Sequence, residues 1–314
     1  MTLQQLAYFL AVADVGSFTR AAEAIGVAQP TLSRQLRALE DDLGAQLVDR
    51  GGRDGPTLTP AGEAVLPLAR RMLADAAGAR RTVAEIVGLR RGRVRVGATP
   101  SLCIGVLADV LRVFHEQHPE IRLELTESGS QPLVAGLVRG DLDVALVIVP
   151  SEGVDPSLAT EPVLRERLSI ASPAAAAPIS GRGSVGLREL ARRPLVLPRP
   201  GYDVRETALR AFREAGITPH IAVQGGEMDA MLRLVEAGTG VAVVPDLVFA
   251  GRPRLRRTVL TPPVYRTVAL ARRADLTPTH ATAAFRLTLL DFLDELSSAG
   301  GLAGDVQVLR PRDS

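Results

Sequence analysis

The sequence predicts an α/β protein in three parts: a small helical head, one long helix, and a two-lobed α/β body. Three observations carry this. Between Ser17 and Asp42 two short helical patterns flank a glycine turn. From Thr59 to about Leu89 the apolar residues keep a single stripe. From residue 91 to residue 300, strand-like and helix-like runs alternate, the pattern of sheets with helices on their faces. A chain of 314 residues has room for two or three compact units, each with its own core.

In the head, Ser17 is placed to cap a first helix on which Phe18, Ala21, Ala22 and Ile25 recur at helical spacing, and Gly26 supplies the stop. A second helix begins at about Gln29. Its Leu32, Leu36, Leu39 and Leu43 share one stripe that must be buried. Pro30, Arg34 and Arg37 then point outward, flanked by Thr31 and Ser33. Guanidiniums and hydroxyls are the groups that reach base edges and phosphates in a major groove. Glu40, Asp41 and Asp42 follow, and DNA would repel them, so only the first two turns suit a groove. Ser17 and Thr19, at the start of the first helix, complete the candidate DNA-contacting set with Gln29.

The run LQQLAYFLAVADVGSFTRAAEAIGVAQPTLSRQLRALEDDLGAQLVDR, followed by LTPAG at Leu58 to Gly62, resembles the LysR-type transcriptional regulators. The hydrophobic spacing, AQP before the second helix, SRQLRALE within it and the LTPAG exit all fall in register. Ala28 stands where the family more often has serine, and Val48 where it usually has phenylalanine. The resemblance implies a winged helix-turn-helix over residues 1–58 that binds double-stranded promoter DNA, with RNA polymerase a further partner. It also implies a linker and dimerisation helix over 59–90, assembly as a homodimer or homotetramer, and a small-molecule effector domain over 91–300.

Leu47 to Thr57 is a Gly-rich turn between short extended pieces, a two-stranded wing with Arg50 and Arg53 at its tip. In a winged helix such arginines contact phosphates beside the recognition helix. Thr59 and Pro60 then make a cap and first-turn start for the long helix, with Glu63 near its positive end. Val65, Leu68, Met72, Ala76, Ala79, Val83, Ile86 and Val87 keep the stripe, while Arg70, Arg71, Arg80 and Arg81 stay outside it. A rod about 45 Å long with one apolar stripe needs a partner. The resemblance makes that partner the same helix of a second subunit. Pro67 should kink the helix.

The body alternates strands and helices in the manner of type II periplasmic-binding proteins, and two parallel-type sheets are expected. Lobe I takes about 91–160 and 267–300, and lobe II about 161–266. The chain is expected to cross between them near Ser151 to Glu166 and Thr258 to Arg266. Ligands of open α/β folds sit at the carboxyl ends of strands, facing helix N-termini. After the first strand Thr99 and Pro100 open a helix, so the hydroxyls of Thr99 and Ser101 and nearby amides converge; Ser128, Gly129 and Ser130 repeat this after the second. By position in the family these are effector-contacting loops, with Arg199 and Tyr202, then Gly225 and Gly226, added from the other lobe. Arg199 suits a carboxylate or another small anion.

A formal charge of +2 does not by itself argue for nucleic acid, so local placement carries that argument. The single cysteine, Cys103, cannot form an intramolecular disulfide and reads as a small core residue. Gly181, Gly183 and Gly186 form a GxGxxG outside any βαβ unit, and the His115/His118 pair lacks a third ligand. No catalytic triad motif or GxSxG appears. No enzyme, cofactor or metal is therefore expected. The N-terminus lacks a basic leader and no long apolar run is free of charge, so no membrane association and a cytoplasmic location are expected. The tail over 301–314 reads as mobile. The alternative is a non-enzymatic small-molecule binding protein of the periplasmic-binding type, which would need export and no DNA-binding head.

Overall fold

The computed structural model of the chain describes residues 1–51, 55–86, 92–150, 153–302 and 304–309. Internal contacts divide it into two units, one built on Met1–Gly88 and one on most of the remainder.

The first unit packs helices α1 (Leu3–Val15), α2 (Phe18–Ala24) and α3 (Gln29–Leu43) against the start of α4 (Pro60–Ile86). Thr2 and Gln5 close a capping box on α1, and Ser17 Oγ accepts from Arg20 N at the start of α2. Leu6, Phe9, Val12, Ala21, Leu32, Leu36 and Leu39 fill the core. Ile25 and Leu43, expected on the buried stripes, are exposed. Each stands just before a left-handed glycine, Gly26 and Gly44, where the helix ends and the stripe runs past the element that covers it.

Strands β1 (Val48–Asp49) and β2 (Thr57–Leu58) pair antiparallel as the wing. Its tip, including Arg53, lies outside the described residues. Thr59 Oγ1 caps α4 by accepting from Gly62 N. A Cβ at Gly62 would lie 2.0 Å from the Leu47 carbonyl oxygen, so the LTPAG glycine is required for the helix to start this close to the wing. Pro67 sits inside α4 without ending it. Along α4, Leu68, Met72 and Val83 are exposed, covered by nothing among the described residues.

The second unit holds two apolar cores. Lobe I is built from β3 (Arg93–Ala98), α5 (Pro100–Leu102), α6 (Ala108–Gln117), β4 (Arg122–Glu127), α7 (Ser130–Arg139), β5 (Val144–Val149) and α11 (His280–Ser298). Lobe II is built from β7 (Ser184–Gly186), α8 (Leu187–Leu190), β8 (Leu195–Leu197), α9 (Asp203–Glu214), β9 (Ile221–Gln224), α10 (Met228–Glu236) and β10 (Ala242–Pro245).

The lobes are joined by two long strands, β6 (Leu158–Pro173) and β11 (Leu255–Arg273), which pair antiparallel nearly end to end. Instead of two separate parallel sheets, one eight-stranded mixed sheet therefore runs through both lobes, in the order β10-β6-β11-β5-β3-β4 with β7 added on β11 and a C-terminal strand on β6, beside a small β8-β9 sheet. Of the expected crossing segments, 158–166 and 258–266 lie in these two strands, which satisfy each other's backbone groups along most of their length, whereas 153–157 precede β6 and 151–152 lie outside the described residues.

The tail is not free in its described part. Its strand β12 (Val306–Val308) pairs antiparallel with Leu164–Glu166 of β6. Valines at 306 and 308 pack on the lobe I core, together with Leu302, and that burial offsets the ordering of a segment expected to be mobile.

Candidate DNA-binding and effector sites

Helix α3 divides as the stripe requires. Leu32, Leu36 and Leu39 are fully buried, whereas Gln29, Pro30, Arg34 and Arg37 are exposed and Thr31 and Ser33 half-buried. Arg34 and Arg37 lie one turn apart. Among the described residues neither guanidinium has a hydrogen bond or ion pair, so both charges are available to a ligand. Thr19 is exposed on α2, while Ser17 is committed as its cap.

Glu40 does not belong to the outward acidic end. It is 7% exposed, and its Oε1 accepts from Leu47 N at 2.9 Å and Val48 N at 3.1 Å, while Oε2 binds Arg50. It therefore stitches α3 to the wing. Arg50, expected at the wing tip, is held by this carboxylate and lies over the Phe18 ring. Asp41 and Asp42 do stand exposed, and Asp42 meets the N-terminal ammonium.

In the second unit, Thr99 and Ser101 are buried at the carboxyl end of β3, with Pro100 in the first turn of α5. Thr99 Oγ1 makes no cap bond; it faces Ser101 Oγ at 3.5 Å. Ser101 Oγ accepts from Arg266 Nη2 at 2.7 Å, and Arg266 is paired with the fully buried Glu166 at 2.6 Å. Glu166 Oε2 also accepts from Leu247 N at 3.2 Å. Three groups thus link the Thr99–Ser101 loop to the strands that join the lobes.

On the next loop, Ser128 N donates to Ala98 O. Ser130 Oγ accepts from Ile148 N at 3.0 Å and donates to Asp203 Oδ2 at 2.8 Å, a direct bond from lobe I to lobe II. Gly129 is pressed against the other wall, since a Cβ there would lie 2.2 Å from Gly201 O. The cleft is closed at this point in the structure. Lobe II supplies Arg199, which ion-pairs with Glu227 at 2.8 Å and lies 4.5 Å from the Tyr202 ring centroid, while the Tyr202 hydroxyl donates to the same carboxylate. Gly225 and Gly226, both at positive φ, turn the chain into α10 and bond back to Leu197 and Arg199. Of the ten expected effector residues, Gly129 and Ser130 meet lobe II directly, at Gly201 and Asp203, and Arg199 is already neutralised by Glu227.

Sequence reasoning missed Glu166, Arg266 and Asp203. A signal existed for two of them: Glu166 shares strand parity with Leu164, Leu168 and Ile170, and Arg266 with Val268 and Leu270, so each puts a charge on a buried face. The Cys103 thiol is pushed up to about 12, chiefly by burial and further by the charge and hydrogen bond of Glu127, so it is held neutral as a packing residue. A cavity of about 490 Å³ lies at the far end of lobe I, lined by Val144, Leu270, Arg272 and the Arg286–Glu161 pair, away from the closed cleft. Among the described residues there is no cluster of three His, Cys, Asp or Glu side chains able to hold a metal ion, and no helix long and apolar enough to cross a membrane.

Residues 3–63 match the family model described as a bacterial regulatory helix-turn-helix protein of the lysR family, and residues 88–294 match the LysR substrate binding domain. A probable hydrogen peroxide-inducible genes activator from Mycobacterium avium is 34% identical, over 81% of this chain and 82% of its own length. The regulator BenM from Acinetobacter baylyi is 31% identical over 78% of this chain and 80% of its own. Among solved structures, full-length CbnR complexed with its target DNA is similar, with a TM-score of 0.63 and 30% identity over 93% of this chain and 100% of that one. A full-length OxyR variant from Pseudomonas aeruginosa has a TM-score of 0.66 and 27% identity, covering 93% and 94%. The helix-turn-helix match leaves the stand-alone binding-protein alternative without support. With both halves matched, the chain belongs to the LysR family: it is a DNA-binding transcriptional regulator with an effector domain, not an enzyme.

Proposed function

We propose that this regulator binds promoter DNA as a homodimer or homotetramer, with the first two turns of α3 in the major groove, and that a small molecule between the lobes of the second unit alters its DNA contacts. One observation carries the DNA reading most: Arg34 and Arg37 stand exposed and partner-free among the described residues, on a helix whose opposite face is sealed in the core. The uncovered Leu68, Met72 and Val83 of α4 support pairing of subunits through that helix. Arg34→Ala should weaken binding to the promoter by about 1–3 kcal/mol while random DNA is affected less, if Arg34 reads a base. A gel shift with both DNAs checks this, and equal losses on the two would reduce Arg34 to a phosphate contact.

The effector is proposed to sit among Thr99, Pro100, Ser101, Ser128, Gly129 and Ser130 on one wall and Arg199, Tyr202, Gly225 and Gly226 on the other. A carboxylate or other small anion is the proposed class; at Arg199 it would compete with Glu227, and near α9 with Asp203. A preference between two arrangements worth about 1–3 kcal/mol is enough to change promoter affinity severalfold or more. Recruitment of RNA polymerase and a cytoplasmic location complete the reading.

A further inference from the structure

The edge of β6 opposite β11 is covered by two strands laid end to end. β10 pairs with Leu168–Ala171, and β12 pairs with Leu164–Glu166. The gap between them is Arg167, where the chain passes from one lobe to the other. Its backbone N–H donates to Asp305 O at 3.1 Å.

Asp305 is the centre of this junction. Its own N–H donates to Asp246 Oδ2 at 2.8 Å, and its carboxylate accepts from the Tyr265 hydroxyl at 2.8 Å. Asp246 is fully buried directly after β10 and is gripped by Arg257 of β11. Gly304 lies so close that a Cβ on it would stand 2.4 Å from Asp246 Oδ2. On the other side, Leu309 N donates to Val163 O, and Leu302, Val306 and Val308 pack on the lobe I core.

Any bend of β6 at Arg167 separates the end of β10 from the start of β12. It would have to break the Asp305 N–Asp246 bond, the Arg167 N–Asp305 bond, or both. We propose that the C-terminal strand is a strap across the interlobe hinge, fixing the angle between the lobes and so the ease with which the cleft opens. Only its consequence for effector response rests on the proposed cleft reading; the strap itself is tested without any ligand.

The test is hydrogen exchange, read by mass spectrometry, on the full chain and on a chain ending at Leu302. The strap predicts that amides in 163–168 and 246–249 exchange about tenfold faster or more in the shortened chain, while those of β3 and α11 keep their protection. Gly304→Ala, which leaves the whole tail present but unseats it from Asp246, should give the same local pattern. Unchanged exchange at 163–168 in both variants overturns the proposal. So does a loss of protection throughout both lobes, which would make the tail a general stabiliser of the unit rather than a hinge strap.

Discussion

Replacing Arg266 with methionine removes a guanidinium that is 9% exposed and leaves Glu166, which has no exposed surface, with one remaining donor, Leu247 N at 3.2 Å. Ser101 Oγ loses its charged donor in the same step. Methionine fills much of the arginine stem's volume, so the loss is chiefly electrostatic. Breaking a buried pair by removing one partner costs about 3–5 kcal/mol. For a unit of this size, each kcal/mol lowers Tm by about 2–4 °C, so a drop of about 6–20 °C is expected. Thermal unfolding followed by circular dichroism measures it on the second unit's transition, because Arg266 lies within that unit's contacts. Removing the orphaned charge as well, in Glu166→Gln with Arg266→Met, keeps an acceptor for Leu247 N and should recover much of the loss, since no uncompensated charge then remains buried. A single-variant shift below about 2 °C, or a double variant as unstable as the single one, would refute the view that the pair is uncompensated by solvent.

Glu40→Ala should destabilise the first unit by about 2–4 kcal/mol by orphaning the buried donors Leu47 N and Val48 N, and a lowered denaturant midpoint for that unit is the check. Cys103, with its thiol raised to about 12, should carry about a thousandfold less thiolate at pH 8 than a free thiol and react slowly with maleimide until the chain is unfolded. The sign follows from the same shift: the unfolded chain loses this proton near 9 and the folded chain keeps it toward 12, so stability falls as pH rises through that window, and Cys103→Ser should flatten the decline.

Local rules were enough to place α3 from Gln29, the capped start of α4 at Thr59, and the outward face bearing Arg34 and Arg37, because each depends on helix period and cap chemistry within a few residues. The same rules put Thr99, Ser101 and Ser130 at strand ends. They failed where a helix ends before its stripe does, at Ile25 and Leu43, since exposure there depends on what lies beyond the turn.

What determines Glu166, Arg266 and Asp203 is set by partners far along the chain: Glu166 and Arg266 are 100 positions apart, Ser101 and Arg266 165, and Ser130 and Asp203 73. A carboxylate's role changes from solvated charge to buried linchpin according to which distant amide or guanidinium the fold delivers to it. The tail shows the same division. Its composition allowed motion, and only the unpaired edge of β6 left beside β10 turned Val306–Val308 into a strand. Periodicity, caps and the family motif were the sequence's own; the pairing of remote charges and the covering of a strand edge belong to the tertiary structure, because both are satisfied only by groups brought together on folding.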